Sequence, residues 1–197
     1  VDGSGIKALT TDAKSETDAS WIANGTKIAF LREGEIWTMD ANGENRKKLS
    51  DTEGAIEGYK FSPDGKKVIL LKSLDYHGTI KKNPSDLPLA TGRLVTDMNY
   101  RHWDHYVEQI SHAFVADVTE NGIANVVDIL EGEPYECPLA PFGGIEQLDW
   151  SIDSKLVAYT CRKKEGVDYA ISTDADIYIY NVETKQTRNL CKPEGYK

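Results

Sequence analysis

The four histidines of this chain, His77, His102, His105 and His112, all fall inside one segment, 72–112. Imidazole titrates near neutrality and is the commonest metal-ligating nitrogen. His102 and His105, at i and i+3, would share a helix face, and Asp104 could add an oxygen ligand. No cysteine accompanies them, and His77 and His112 are distant in sequence. Ordinary polar packing is therefore the expected role, and no metal or other cofactor is implied. The same segment carries Arg101-His102-Trp103-Asp104, which has two readings. In one, these residues line a substrate path: Asp104 pairs with an ammonium, and Trp103 offers a flat apolar or cation–π wall. In the other, Trp103 plugs the segment onto its scaffold, and Arg101 pairs with Asp104 to hold its shape.

Cys137, Cys161 and Cys191 form no C-x-x-C pair, and their odd number leaves at least one thiol free. A Cys161–Cys191 bridge would require an oxidising compartment. Asp40, Asp64, Asp117 and Asp153 could suggest calcium. Their recurrence at one register points instead to side chains that hydrogen-bond the turns they sit in. Asn24-Gly25-Thr26 fits a glycosylation sequon, yet it occupies the place of a hairpin turn.

The scaffold under these residues is a repeat. Phe61-Ser62-Pro63-Asp64-Gly65-Lys66-Lys67-Val68-Ile69-Leu70-Leu71 combines a short strand, a tight turn and a β-branched, aliphatic strand. Two segments align with it without a gap: Ala19 to Leu31, with Asn24-Gly25 at the turn, and Leu148 to Thr160, with Asp153-Ser154. Each copy continues into a third and a fourth strand: Ile36–Asp40 and Arg46–Leu49, Ala113–Asp117 and Asn125–Leu130, Ile177–Asn181 and Thr187–Leu190. Four short antiparallel strands recurring about every 40 residues mark a β-propeller blade. The expected fold is all-β, a partial propeller of three four-stranded blades. Ser4 to Thr10 aligns with the turn and outermost strand of the first copy, so the last strand of a preceding blade is expected to open the chain. The expected division is 1–18 for that strand and a linker, 19–58, 59–147 and 148–197 for the blades. The middle blade carries the insertion 72–112, with a short helix expected around Val95–Val107. The last blade has a lengthened connection, 162–176. Long connections inside a compact repeat usually serve a purpose of their own.

A net charge of −9 argues against a nucleic-acid partner, which needs clustered Lys and Arg. No run of about 18 apolar residues is present, so no membrane span is expected. Val1-Asp2-Gly3-Ser4-Gly5 resembles neither a leader nor a normal start, and a periplasmic or secreted location is expected over a cytoplasmic one. Uncovered faces of the end blades would favour self-association.

The Phe61-to-Lys66 phrase resembles the repeat shared by TolB-like proteins and the prolyl oligopeptidase family of serine peptidases. Tyr100-Arg101-His102-Trp103-Asp104-His105-Tyr106, Ala113 to Val118 and Asp168 to Tyr178 resemble the dipeptidyl peptidase V and acylaminoacyl peptidase branch. That resemblance implies the propeller portion of a serine exopeptidase, gating peptides into an α/β-hydrolase domain C-terminal to it. The chain has no G-x-S-x-G elbow and no His-Gly-Gly segment, so no catalytic residues are expected in it. The paired glutamates that hold a substrate ammonium in the dipeptidyl peptidase IV branch have no counterpart here. Asp104 or Glu108 is the acid expected to serve instead. A non-enzymatic, TolB-like propeller that binds a protein partner is the alternative.

Overall fold

The computed structural model describes residues 4–76, 80–82, 89, 91–96, 101–102 and 104–191. The first antiparallel sheet holds β1 (Glu16–Ile22), β2 (Lys27–Arg32), β3 (Glu35–Asp40) and β4 (Lys47–Lys48), in that spatial order. The second begins with β5 (Ile56–Phe61) and β6 (Lys67–Asp75). Two small ladders follow, β7 (Ile80–Lys82) with β8 (Arg93–Val95), and β9 (Arg101–His102) with β10 (His105–Tyr106). The chain then returns to the second sheet as β11 (Gln109–Thr119) and β12 (Gly122–Asp128), giving the order β12-β11-β6-β5. The third sheet is β13 (Leu148–Trp150), β14 (Leu156–Cys161), β15 (Asp176–Asn181) and β16 (Gln186–Asn189). The helix α1 (Gly166–Ile171) lies in the β14–β15 connection. These three sheets are the expected blades.

Turn chemistry sets the hairpins. The Asp64 carboxylate accepts the Lys66 N–H at 3.0 Å and the Ser62 hydroxyl at 2.7 Å, while the Gly65 N–H reaches Ser62 O at 2.9 Å. Asp153 repeats this with the Lys155 N–H at 3.2 Å and the Ser151 hydroxyl at 2.6 Å. Gly65 has φ +72°, and Ser154 at the matching place takes +61°. Ser154 Oγ also accepts the Asp64 N–H at 3.1 Å, tying one turn to the next.

Burial sets the stacking. Val68, Ile69 and Leu70 are fully buried, and alternate side chains leave β6 on opposite faces. Val68 and Leu70 pack with Ala29, Leu31 and Ile36 of the first sheet, whereas Ile69 and Leu71 pack with Leu148, Val157 and Tyr159 of the third. Trp150 Nε1 donates to Lys60 O at 2.9 Å between the inner strands of adjacent blades.

Three expectations need correction. The β6–β11 ladder runs unbroken from Lys67↔Asp117 to Asp75↔Gln109, so His112 and Lys72 belong to strands and the insertion narrows to 76–108. Among the described residues of Val95–Val107 there is no helix; the pairs His105↔His102 and Tyr106↔Arg101 form an extended ladder. Residues 4–15 contain no strand. They run alongside the first sheet, where Leu9 packs against Ile28, Phe30 and Met39 and Leu9 O accepts Arg46 Nη2 at 2.8 Å.

Gly122, φ +127°, closes the β11–β12 turn against the first blade, where an added Cβ would meet Leu49 O at 2.6 Å. Gly65, also at positive φ, has open space. Gly122→Ala is expected to lower the urea midpoint well beyond the effect of Gly65→Ala, for which about 1 kcal/mol of backbone strain is expected.

The Asp64 carboxyl is held below its usual range, first by the Lys66 N–H and then by the Ser62 hydroxyl; at Asp153 the Ser151 hydroxyl leads. A carboxyl with a depressed folded-state pKa stabilises above its unfolded value and loses that stabilisation as pH falls through the folded one. Stability is therefore expected to decline below about pH 4. The double variant Asp64→Asn/Asp153→Asn should show a shallower acid slope in denaturation measured at several pH values.

Candidate functional site

Three connections meet at one end of the second sheet: β6–β11, β12–β13 and β14–β15. They enclose a cavity of about 760 Å³. Leu74 and Asp75 reach it from the end of β6, Ile110 and His112 from β11, and Asp128 from the end of β12. Pro134 and Tyr135 come from the β12–β13 connection, and Glu165 and Tyr169 from β14–β15.

Strand geometry brings His112 and Asp128 together. Asp128 stands opposite Phe114, which shares a strand face with His112, so the two polar side chains are diagonal neighbours. His112 Nδ1 lies 2.8 Å from Asp128 Oδ2, and Asp128 Oδ1 accepts the Leu130 N–H at 2.8 Å. Facing a carboxylate, Nδ1 is the donor of this hydrogen bond. His112 is 3% exposed, and its Nε2 has no hydrogen-bond partner among the described residues.

Acids dominate the wall around this dyad. Glu165 accepts the Tyr135 hydroxyl at 2.9 Å, and burial followed by that carboxylate pushes the Tyr135 phenol up to about 12. Glu136, 3% exposed, accepts the Tyr169 hydroxyl; burial and then the Glu136 charge raise that phenol. The Arg162 guanidinium stacks 4.0 Å from the Tyr169 ring centroid. Glu133 pairs with Lys163, and Lys164 with Asp174 at 3.1 Å. Among the described residues, no Ser, Thr or Cys lines the cavity.

The residues singled out from sequence are not among the described residues that line the cavity. Arg101 is in β9, and Trp103 falls outside the described residues. Asp104 is exposed, 3.2 Å from His105 Nδ1. Glu108 is exposed and accepts the Tyr76 N–H through its backbone oxygen at 2.9 Å. Glu108 lines a smaller cleft with His105 and Gln109, and Asp75 borders both that cleft and the main cavity. Neither Asp104 nor Glu108 lines the main cavity. In the sequence His112 was one of four clustered histidines, and Asp128 only a residue of the expected fourth strand Asn125–Leu130. Their pairing required the strand register.

The cysteines take no part. All three are free thiols, so the Cys161–Cys191 bridge is absent. Cys161 is buried against Glu136 O, while Cys191 Sγ accepts the Ile177 N–H at 3.5 Å. Burial pushes the Cys161 thiol up to about 12 and raises Cys137 further. Ellman's reagent at pH 8 is expected to modify only Cys191 in the folded chain and all three thiols in urea, because reaction requires an accessible thiolate.

No family profile matches the chain. Over 194 residues, 96% of its length, it is 45% identical to a dipeptidyl-peptidase 5 of Porphyromonas gingivalis. It is 37% identical over 193 residues to the dipeptidyl-peptidase 5 of Porphyromonas endodontalis, and it spans 28% of the length of each relative. Among solved structures, the acylaminoacyl peptidase of Pyrococcus horikoshii superposes with a TM-score of 0.54 at 15% identity, over 90% of this chain and 25% of that one. Along nearly its whole length the chain is therefore related in sequence to part of the dipeptidyl-peptidase 5 proteins, and it shares its fold with the Pyrococcus structure.

Proposed function

We propose that the chain is the propeller portion of a serine exopeptidase, dipeptidyl or acylaminoacyl in specificity, and that it governs which peptides reach a catalytic α/β-hydrolase domain. The observation that carries this is 45% identity to a dipeptidyl-peptidase 5 along 96% of the chain, in a sequence without a G-x-S-x-G elbow. Acyl transfer needs a nucleophile held on a strained strand–helix turn. With none in this sequence, its contribution is shape and charge around the substrate's path.

The long β6–β11 and β14–β15 connections suit that task, because they crowd one end of the sheets with acidic and aromatic side chains. Arg101, Trp103, Asp104 and Glu108 in the insertion are proposed to line the path, with Asp104 or Glu108 available to a substrate ammonium. The hydrolase domain is the proposed intramolecular partner. The far side of the third sheet, where Ile177 is 45% and Leu190 46% exposed, is the surface proposed for association. These elaborated connections favour the peptidase reading over a non-enzymatic, TolB-like binding module.

The full-length protein is expected to release p-nitroaniline from dipeptidyl p-nitroanilides, and the 197-residue chain alone to release none. Turnover by the chain alone, or a full-length protein inert toward dipeptidyl and acyl-aminoacyl chromogenic substrates, would overturn the proposal.

A further inference from the structure

We propose that Asn24 is a site of spontaneous covalent modification, where the side-chain amide closes onto Gly25 as a succinimide and opens to aspartate and isoaspartate. The inference rests on the β1–β2 turn and is independent of the peptidase reading.

Three Asn-Gly steps occur in the chain: Asn24-Gly25, Asn42-Gly43 and Asn121-Gly122. Asparagine is a thermolabile residue, and a following glycine lets its own nitrogen approach the amide carbon with little steric hindrance. The three steps share this chemistry and differ in what restrains them.

Repeat register places Asn24 where the other two hairpins carry Asp64 and Asp153. Those carboxylates are held by the hydroxyl two residues before, Ser62 or Ser151, and by the N–H two residues after. In the first hairpin Ile22 stands in the serine position, which removes the hydroxyl donor. The Thr26 N–H and hydroxyl both donate to Ala23 O, at 3.2 and 2.8 Å. The Asn24 amide is left exposed and without a hydrogen-bond partner among the described residues. Ala23–Gly25 is a single 3-10 turn with no buried residue, and Gly25 has open space where a Cβ would stand. Local opening there costs little packing.

The other two steps are restrained. Asn42 Oδ1 accepts the Glu44 N–H at 3.0 Å, and its Nδ2 donates to the Glu44 carboxylate at 2.9 Å. The Gly43 N–H, which would have to attack, donates to Asp40 O at 2.9 Å. Asn121 is exposed, but Gly122 is buried against Leu49 O and its own oxygen accepts the Thr119 hydroxyl at 2.7 Å. Rotation of that backbone would disturb the contact between the first two sheets.

In the reaction the Gly25 nitrogen bonds to Asn24 Cγ and loses its proton, the bond from Cγ to Nδ2 breaks, and ammonia leaves. Water opens the ring at either carbonyl. One product is an aspartyl residue, the type that the other two hairpins hold at this place. The other is an isoaspartyl residue, whose backbone is one methylene longer.

Incubation of the native chain at mildly alkaline pH, followed by peptide mass spectrometry that separates aspartate from isoaspartate, tests this. Amide loss at Asn24 is expected to be at least tenfold faster than at Asn42 or Asn121. In urea at the same pH the three rates should converge, because all three steps are Asn-Gly. Asn24→Gln should remove the fast phase of ammonia release. Comparable rates at Asn24 and Asn42 in the folded chain, faster loss at Asn42 or Asn121, or a preference for Asn24 that persists unchanged in urea would each overturn the proposal.

Discussion

One strand, β6, is buried on both of its faces, and the arrangement of the molecule follows from that. Val68 and Leu70 belong to the apolar cluster shared with the first sheet, Ile69 and Leu71 to the cluster shared with the third. A strand covered on both sides has no room for polar side chains along its middle. Polar chemistry is left to the ends of the strands and to the connections beyond them. Lys72 already departs from the pattern, keeping its stem buried at 9% exposure while its ammonium lies over Phe114. Beyond it, β6 continues through Ser73 to Asp75 at the cavity.

The same constraint explains why similar hairpins carry unlike surroundings. The turns linking the first two strands of the second and third sheets hold the same Ser–Asp hydrogen-bonding pattern and touch each other through Ser154 and Asp64. The connections at the opposite end share no such pattern. One is the 76–108 insertion, one contains α1, and one passes through the buried Glu136 and Cys137. One end of the blades is fixed by backbone geometry, and the other is free to vary in length. The cavity and its acids are found at the variable end.

That division also decided what could be read in the sequence. The three hairpins were legible because each is specified locally, by turn residues with known dihedral preferences and by β-branched runs directly after them. The third and fourth strands were legible because they recur at matching offsets. The insertion was not. His102 and His105 looked like neighbours on a helix and instead face each other across a two-residue ladder, and α1 has no side-chain cap to announce it. Trp21 shows a subtler limit. It aligns with Trp150, which is buried and bonded to Lys60 O, yet it is 64% exposed because no described sheet lies on its side. Sequence register gives the position of a residue in a blade, while its burial depends on the neighbouring blade.

The His112–Asp128 pair shows how a site can stay hidden when each half looks ordinary. A histidine in an apolar strand is usually a satisfied core residue, and an aspartate at a strand end usually caps a turn. Asp128 does cap one, through the Leu130 N–H, and that commitment turns its second oxygen toward the imidazole. Asp128 is opposite Phe114 only because the β11–β12 ladder shifts register between Val115 and Asp117. A one-residue change in that irregularity would carry the carboxylate to the other face of the sheet, since side chains alternate along a strand. The geometry at His112 is thus set by the bulge between Val115 and Asp117, which separates it from the turn that Gly122 packs against Leu49. Contact between the first two blades and the polar geometry at the far end of the second therefore lie on either side of one irregularity in the same ladder.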